Sequence, residues 1–146
     1  MHSKVQMINK VGEPIRVKGW EYEWPLYLKE MSIAHVGALH SRKFFRSYGN
    51  FDMNYKIVGD FELLLRAGKN LKTAFMDEVT VLVTEGGVSD SIYAIKEHYK
   101  AVRTRGKYPI YKALPNALIV YLKFTIKAYL RKVGFNFYLK KAKKTI

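Results

Sequence analysis

The sequence predicts an α/β protein of mixed short strands and helices, closed by a basic amphipathic helix. Three features carry that prediction. Segments rich in Val, Ile and Thr lie near the start and at residues 71–84, as strands require. Between and after them are short apolar segments bounded by capping residues and glycines, the pattern of helices. The last third of the chain mixes apolar residues with regularly spaced cations and holds no acid.

Taken in order, Lys4–Asn9 and Pro14–Lys18 are expected as two strands around a turn at Lys10-Val11-Gly12-Glu13. Residues 19–28 hold Trp20, Tyr22, Trp24, Pro25 and Tyr27. Aromatics this dense belong to a core or line a ligand pocket. Ser32–Ala38, apolar around His35, is expected as a short buried strand. Ser41–Tyr48 is expected as a helix ended by Gly49. A loop over Gly49–Gly59 leads to a helix over Asp60–Ala67, with Gly68 and Asn70 ending it. Leu71–Thr84 supplies one or two strands. Gly86-Gly87-Val88-Ser89 is a plain turn or a loop that brings backbone close to a ligand. Ser89 or Asp90 caps a helix running to about Arg103, broken by Gly106 and Pro109. Pro115 suits the first position of the final helix, Asn116–Val133.

Length and composition bound the function. A chain of 146 residues, 49% hydrophobic and 14% aromatic, forms a packed core. It has no cysteine, which excludes disulfides, thiolate metal sites and a cysteine nucleophile. The histidines show no zinc spacing; His35 and His40, five apart, do not share a helix face. No metal ligand set is expected within the chain. The N-terminus is polar, unlike a signal peptide. Residues 1–97 carry 13 Lys/Arg against 12 Asp/Glu, a net +1. Residues 98–146 carry 13 Lys/Arg and no acid, so nearly all of the +14 lies there. A near-neutral body with a basic tail points to an anionic partner for the tail, either lipid headgroups or nucleic acid.

The most informative stretch is residues 51–66, FDMNYKIVGDFELLLR. It sets Asp60 and Glu62 at the junction of a loop and an apolar helix. A carboxylate in a first helical turn is favoured in its ionised form. Aimed into a cleft, it takes a proton from a hydroxyl. The bland alternative is that Asp60 only caps the helix.

In the final helix, Lys123, Lys127 and Arg131 recur every four residues and form one stripe among apolar residues. The longest unbroken apolar run, Ala117–Leu122, is far short of the ~20 residues of a span. Such a helix lies in a membrane interface, or packs its apolar face on the domain and leaves the stripe solvated. Phe135, Phe137 and Tyr138, followed by Lys140, Lys141, Lys143 and Lys144, add aromatic anchors and a basic cluster suited to an anionic leaflet.

In sequence order, SIAHVGALHSRKFF, GNFDMNYKIVGDFELLLRA, TAFMDEVTVLVTEGGVS and AIKEHYKAVRTRG resemble four landmarks in the second half of the catalytic domain of family 2 (GT-A) glycosyltransferases of bacterial surface polysaccharide synthesis. The likeness covers about residues 1–107, leaving 108–146 as a basic amphipathic helical tail. It implies a partial GT-A fold and hexosyl transfer from a nucleotide-sugar to a glycan or lipid-linked acceptor, with inversion. It implies Asp60 as the catalytic base, and His35, Gly59, Gly86, Gly87 and Ser89 as residues bordering donor or acceptor. Glu97 occupies the place of a glutamate usual in the family's following helix. Asp52 is expected to hold the loop, and Glu62 and Arg66 to orient the helix or pair with neighbours.

The chain departs from the family in lacking a βαβ nucleotide-binding unit and its acidic motif for a divalent cation, Mg or Mn. The expectation is therefore a fragment, inactive alone, that needs a missing N-terminal half or self-associates. It is expected in the cytoplasm, peripheral to the inner face of the cell membrane. The rival reading is a non-catalytic membrane-surface module acting through its basic tail. Nucleic acid ranks below both, because no recognition helix or RNA-binding motif is present.

Overall fold

The structure is a computed structural model that describes residues 1–133. The aromatic anchors Phe135, Phe137 and Tyr138 and the lysines at 140, 141, 143 and 144 lie outside the described residues. The fold is mixed α/β, as expected. Strand β1 (His2–Ile8) is the middle of a three-stranded sheet, between β2 (Pro14–Lys18) and β3 (Phe75–Thr84). β1 and β2 form an antiparallel hairpin pairing Val5 with Lys18 and Gln6 with Val17. Its turn is built by the Asn9 side chain, whose Oδ1 accepts the N–H groups of Val11 and Glu13. β3 runs parallel to β1, with Val5 opposite Val81. Residues 71–84 thus give a single strand, after the short turn Gly68–Asn70. β3 is an outer strand of the sheet, with Val79 and Leu82 exposed.

The long connection from β2 to β3 carries α1 (Trp24–Tyr27), α2 (Arg42–Tyr48) and α3 (Gly59–Ala67). After β3 come α4 (Ile92–Thr104) and α5 (Ile110–Lys132). The dense aromatic segment contributes to the core: Tyr27 is fully buried against Phe61, with ring centroids 5.0 Å apart. Tyr27, Phe61, Leu64, Leu65, Val102 and Ala113 form the centre of one hydrophobic cluster. Each such Leu or Phe contributes about 1.5–3 kcal/mol by leaving water.

Four expectations need correction. Ser32–Ala38 is not a strand. Its amides turn back on themselves, Gly37 N–H to Ala34 O and Ala38 N–H to His35 O, making a 3-10 turn over His35–Gly37. Only a single bridge joins Ala38 to His2. Gly37 presses on β1, and a Cβ there would stand 2.7 Å from Ser3 Oγ. β1 spans His2–Ile8, starting two residues before the expected strand and ending one earlier. α4 is capped by Ser91, whose Oγ accepts the Ala94 N–H, and not by Ser89 or Asp90. α5 begins at Ile110 and keeps Pro115 inside it. Pro109 O starts the helix by accepting the Lys112 and Ala113 N–H groups, and Ala113 is locked in the core. Burial at Ala113 holds a turn that local sequence alone assigns to a loop.

α2 follows the sequence closely. Ser41 Oγ accepts the Phe44 N–H, and Gly49 ends the helix at φ 81°.

Candidate active site

Asp60 is the second residue of α3 and half-buried. The cap position belongs to Val58, whose side chain offers no oxygen. Asp60 Oδ1 accepts the N–H of the adjacent Phe61 at 2.8 Å. Among the described residues Asp60 forms no salt bridge.

The N-terminus of α3 is satisfied from another helix. Glu97, on α4, turns its carboxylate onto three successive amides: Lys56 at 3.0 Å, Ile57 at 2.8 Å and Val58 at 3.1 Å. Burial pushes the Glu97 carboxyl up. The three hydrogen bonds and the charge of Lys100 outweigh it and hold the group below its ordinary range. A carboxylate on helix-terminal amides is among the stronger side-chain to backbone contacts.

A second clamp holds the other end of the loop. Glu62 is fully buried within a chain of basic partners. Its oxygens take Arg66 Nε at 3.0 Å and Nη2 at 2.5 Å, and Arg105 Nε at 2.6 Å. Arg66 Nη1 donates to the carbonyls of Tyr48 and Asn50, both at 2.8 Å. Arg105 reaches on to Asp52 at 3.1 Å. Asp52 in turn accepts the Asn54 N–H, which together with Asn54 Nδ2 and Arg105 holds its carboxyl low. Residues 48–58 are therefore fixed at both ends by ionic groups on α3 and α4 and by Arg105 just after α4.

Facing this loop is a histidine pair. His35 and His40 stack with ring centroids 5.2 Å apart, and their Nδ1 and Nε2 atoms meet at 3.4 Å. Phe51, from the clamped loop, meets the His35 ring edge-on at 6.0 Å. His40 is held below its ordinary pKa by burial and by His35, against an opposing pull from the Asp60 charge. The Asp60 charge also reaches Tyr27. There it adds to burial in raising a phenol whose hydroxyl has no hydrogen-bond partner among the described residues. Asp60 thus lies within electrostatic reach of an imidazole and a buried phenol.

His40 is the residue that sequence spacing passes over. Five residues is the wrong interval for a helix face, but the intervening chain is a tight turn followed by extended backbone, which folds the two rings together. The signal available was the run of Phe44, Phe45 and Phe51 around it, which pack on the His40 and His35 rings. A cleft of about 380 Å³ opens beside His40, between His2, Phe44, Leu64 and Lys72. Asp60 does not line it. Both His2 ring nitrogens are buried without partners among the described residues.

Gly86, Gly87 and Ser89 occupy the exposed turn between β3 and α4. A Cβ added at Gly59, Gly86 or Gly87 would meet nothing within 4 Å, so these backbones are open to a ligand rather than pressed on protein. Among the described residues no group of three or more His, Asp or Glu is placed to hold a metal ion. The divalent cation that the resemblance implies finds no fitting donor set among the described residues.

No family model, curated protein or solved structure matches the chain.

Proposed function

We propose that this chain is the acceptor-side half of a family 2 glycosyltransferase domain, with Asp60 as its base. The observation that supports this most is a contrast in partners. The loop leading to Asp60 is fixed by two ionic clamps, while the Asp60 carboxylate itself makes no salt bridge among the described residues. A rigidly delivered carboxylate free of counter-ions keeps its oxygen available to an acceptor hydroxyl. In the proposed reaction that hydroxyl loses its proton to Asp60. Its oxygen attacks the anomeric carbon, and the nucleoside diphosphate leaves from the opposite side with its electron pair. His35 and the open backbone at Gly59, Gly86, Gly87 and Ser89 border the substrates. The donor and its cation fall to a nucleotide-binding half outside residues 1–133, and the outer edge of β3, with Val79 and Leu82 exposed, offers that half a surface.

The decisive experiment is made in the producing cell, where any partner half is present. Deleting the gene should remove one sugar from a surface glycan, read by mass spectrometry. The wild-type chain should restore it. Asp60→Asn should lower the transferred sugar by roughly 10²-fold or more, with unchanged protein level and melting. Full restoration by Asp60→Asn would reduce Asp60 to a structural residue and sink the proposal. Transfer by the purified chain alone would overturn the assignment of the donor site to a separate half.

A further inference from the structure

α5 is apolar on two sides, and only one of them is occupied by the described residues. At 3.6 residues per turn, Ala113, Asn116 and Lys127 share one side. Ala113 is buried in the core, Asn116 Nδ2 donates to Lys29 O at 3.3 Å, and Lys127 pairs with Asp90 at 3.6 Å. These contacts fix the helix against the body of the protein. The opposite side carries Leu114, Leu118, Tyr121, Leu122, Ile126 and Tyr129, each between 42% and 67% exposed. Scattered surface leucines need no explanation, but a continuous stripe along a 23-residue helix does.

We infer that this outer stripe of α5 docks on the surface of an anionic lipid bilayer, with the helix lying flat. Three observations select that occupant. Lys112 and Lys123, eleven residues apart and exposed, border one edge of the stripe, placing cations where a helix sunk to its midline meets headgroups. Tyr121 and Tyr129 lie on the stripe itself, with an apolar ring and a polar tip suited to the headgroup boundary. Residues 98–146 carry 13 Lys/Arg and no acid, so a second copy seated on the same face would meet like charge, whereas anionic headgroups complement it. No helix among the described residues is long and apolar enough to cross a membrane, so the helix lies on the bilayer. This inference does not depend on glycosyl transfer. It sharpens the sequence expectation of an interfacial final helix by naming the face that the described residues leave uncovered.

The full chain should cosediment with vesicles of phosphatidylcholine and phosphatidylglycerol. It should bind phosphatidylcholine alone far less, and its binding should fall with added salt. The triple variant Leu118→Gln/Leu122→Gln/Ile126→Gln should bind the anionic vesicles at least ~10-fold more weakly, since it removes apolar surface available for burial. Its melting should match the wild type. Tyr121→Trp in the otherwise unchanged chain reports directly, once the wild-type signal of Trp20 and Trp24 is subtracted. The added emission should shift to the blue and be protected from aqueous quenchers on anionic vesicles. Three results overturn the inference: wild-type binding by the triple variant, which would give the contact to the terminal lysines; added emission from the Tyr121→Trp variant that vesicles leave unshifted; or a dimer in light scattering that the triple variant dissolves, which would give the face to a second copy.

Discussion

Helices α3 and α5 differ in how completely the fold uses them. α3 is nine residues long, and six of them, Phe61 through Leu65 and Ala67, are buried. Its polar groups are answered as well: Glu62 by two arginines, and the amides at and before its start by Glu97. α5 is more than twice as long and anchors one side, while the described residues leave the other uncovered. Length and hydrophobicity therefore do not predict burial here. Among the described residues α3 has neighbours on several sides, and α5 has them on one. The difference separates a region braced by buried contacts from a face that the described residues leave uncovered.

That comparison breaks hardest at Glu62. Glu62→Ala leaves Arg66 and Arg105 without their shared buried acceptor and should cost about 3–5 kcal/mol, read as a fall in the urea midpoint. A loss under ~1 kcal/mol would mean the cluster behaves like a surface ion pair and does not brace the loop. Glu97→Ala comes next. It strips three amides of a charged acceptor, and about 2–3 kcal/mol is expected. Hydrogen exchange should rise at Lys56, Ile57 and Val58 while the β1 amides stay protected. Uniform acceleration across the sheet would instead assign Glu97 to global stability.

Acidification sharpens the contrast further. His98 on α4 stacks on Phe61 of α3 with centroids 4.4 Å apart, and burial lowers its pKa to about 4. The unfolded chain binds a proton near pH 6.5 and the folded one only near 4. The neutral ring's contribution is therefore complete above about 6.5 and is lost as the pH falls towards 4, at most about 3 kcal/mol. Asp52 and Glu97, also held low, extend the loss to more acid pH. His98→Phe should flatten stability between about pH 6.5 and 4; an unchanged slope would place the titration at His2 or His40. In α5 no comparable effect is expected. The triple glutamine substitution on its outer face should shift stability by no more than about 0.5 kcal/mol.

Where local rules decide the outcome, the sequence was legible. The hairpin, the Ser41 cap of α2 and the apolar body of α3 follow from turn chemistry, capping and composition within a few residues of each other. So does the split between a near-neutral body and a basic end, which is a matter of counting. The loop ahead of Asp60 was recognisable as a junction, and Asp52 could be assigned to holding it. The clamps were harder to see. Glu97 meets Ile57 across 40 residues, and Arg105 meets Glu62 across 43, so no spacing rule links them. The strand expected at Ser32–Ala38 failed because Gly37 seats against Ser3 and Val5, a contact that favours a turn over a ladder. The same turn brings His35 onto His40.

By itself, then, the sequence determined the mixed α/β class, most element centres and the net charge of the basic end. These rest on interactions within one or two turns of chain and on total charge, which survive any arrangement of the elements. The tertiary structure alone decided which groups brace the Asp60 loop, that His40 joins the site, that α5 starts at Ile110, and which face of α5 is left uncovered. Those outcomes depend on which distant segments share a small core. An apolar residue is equally apolar on either side of a helix, and only packing against Tyr27, Leu28 and Val102 chose the inner one.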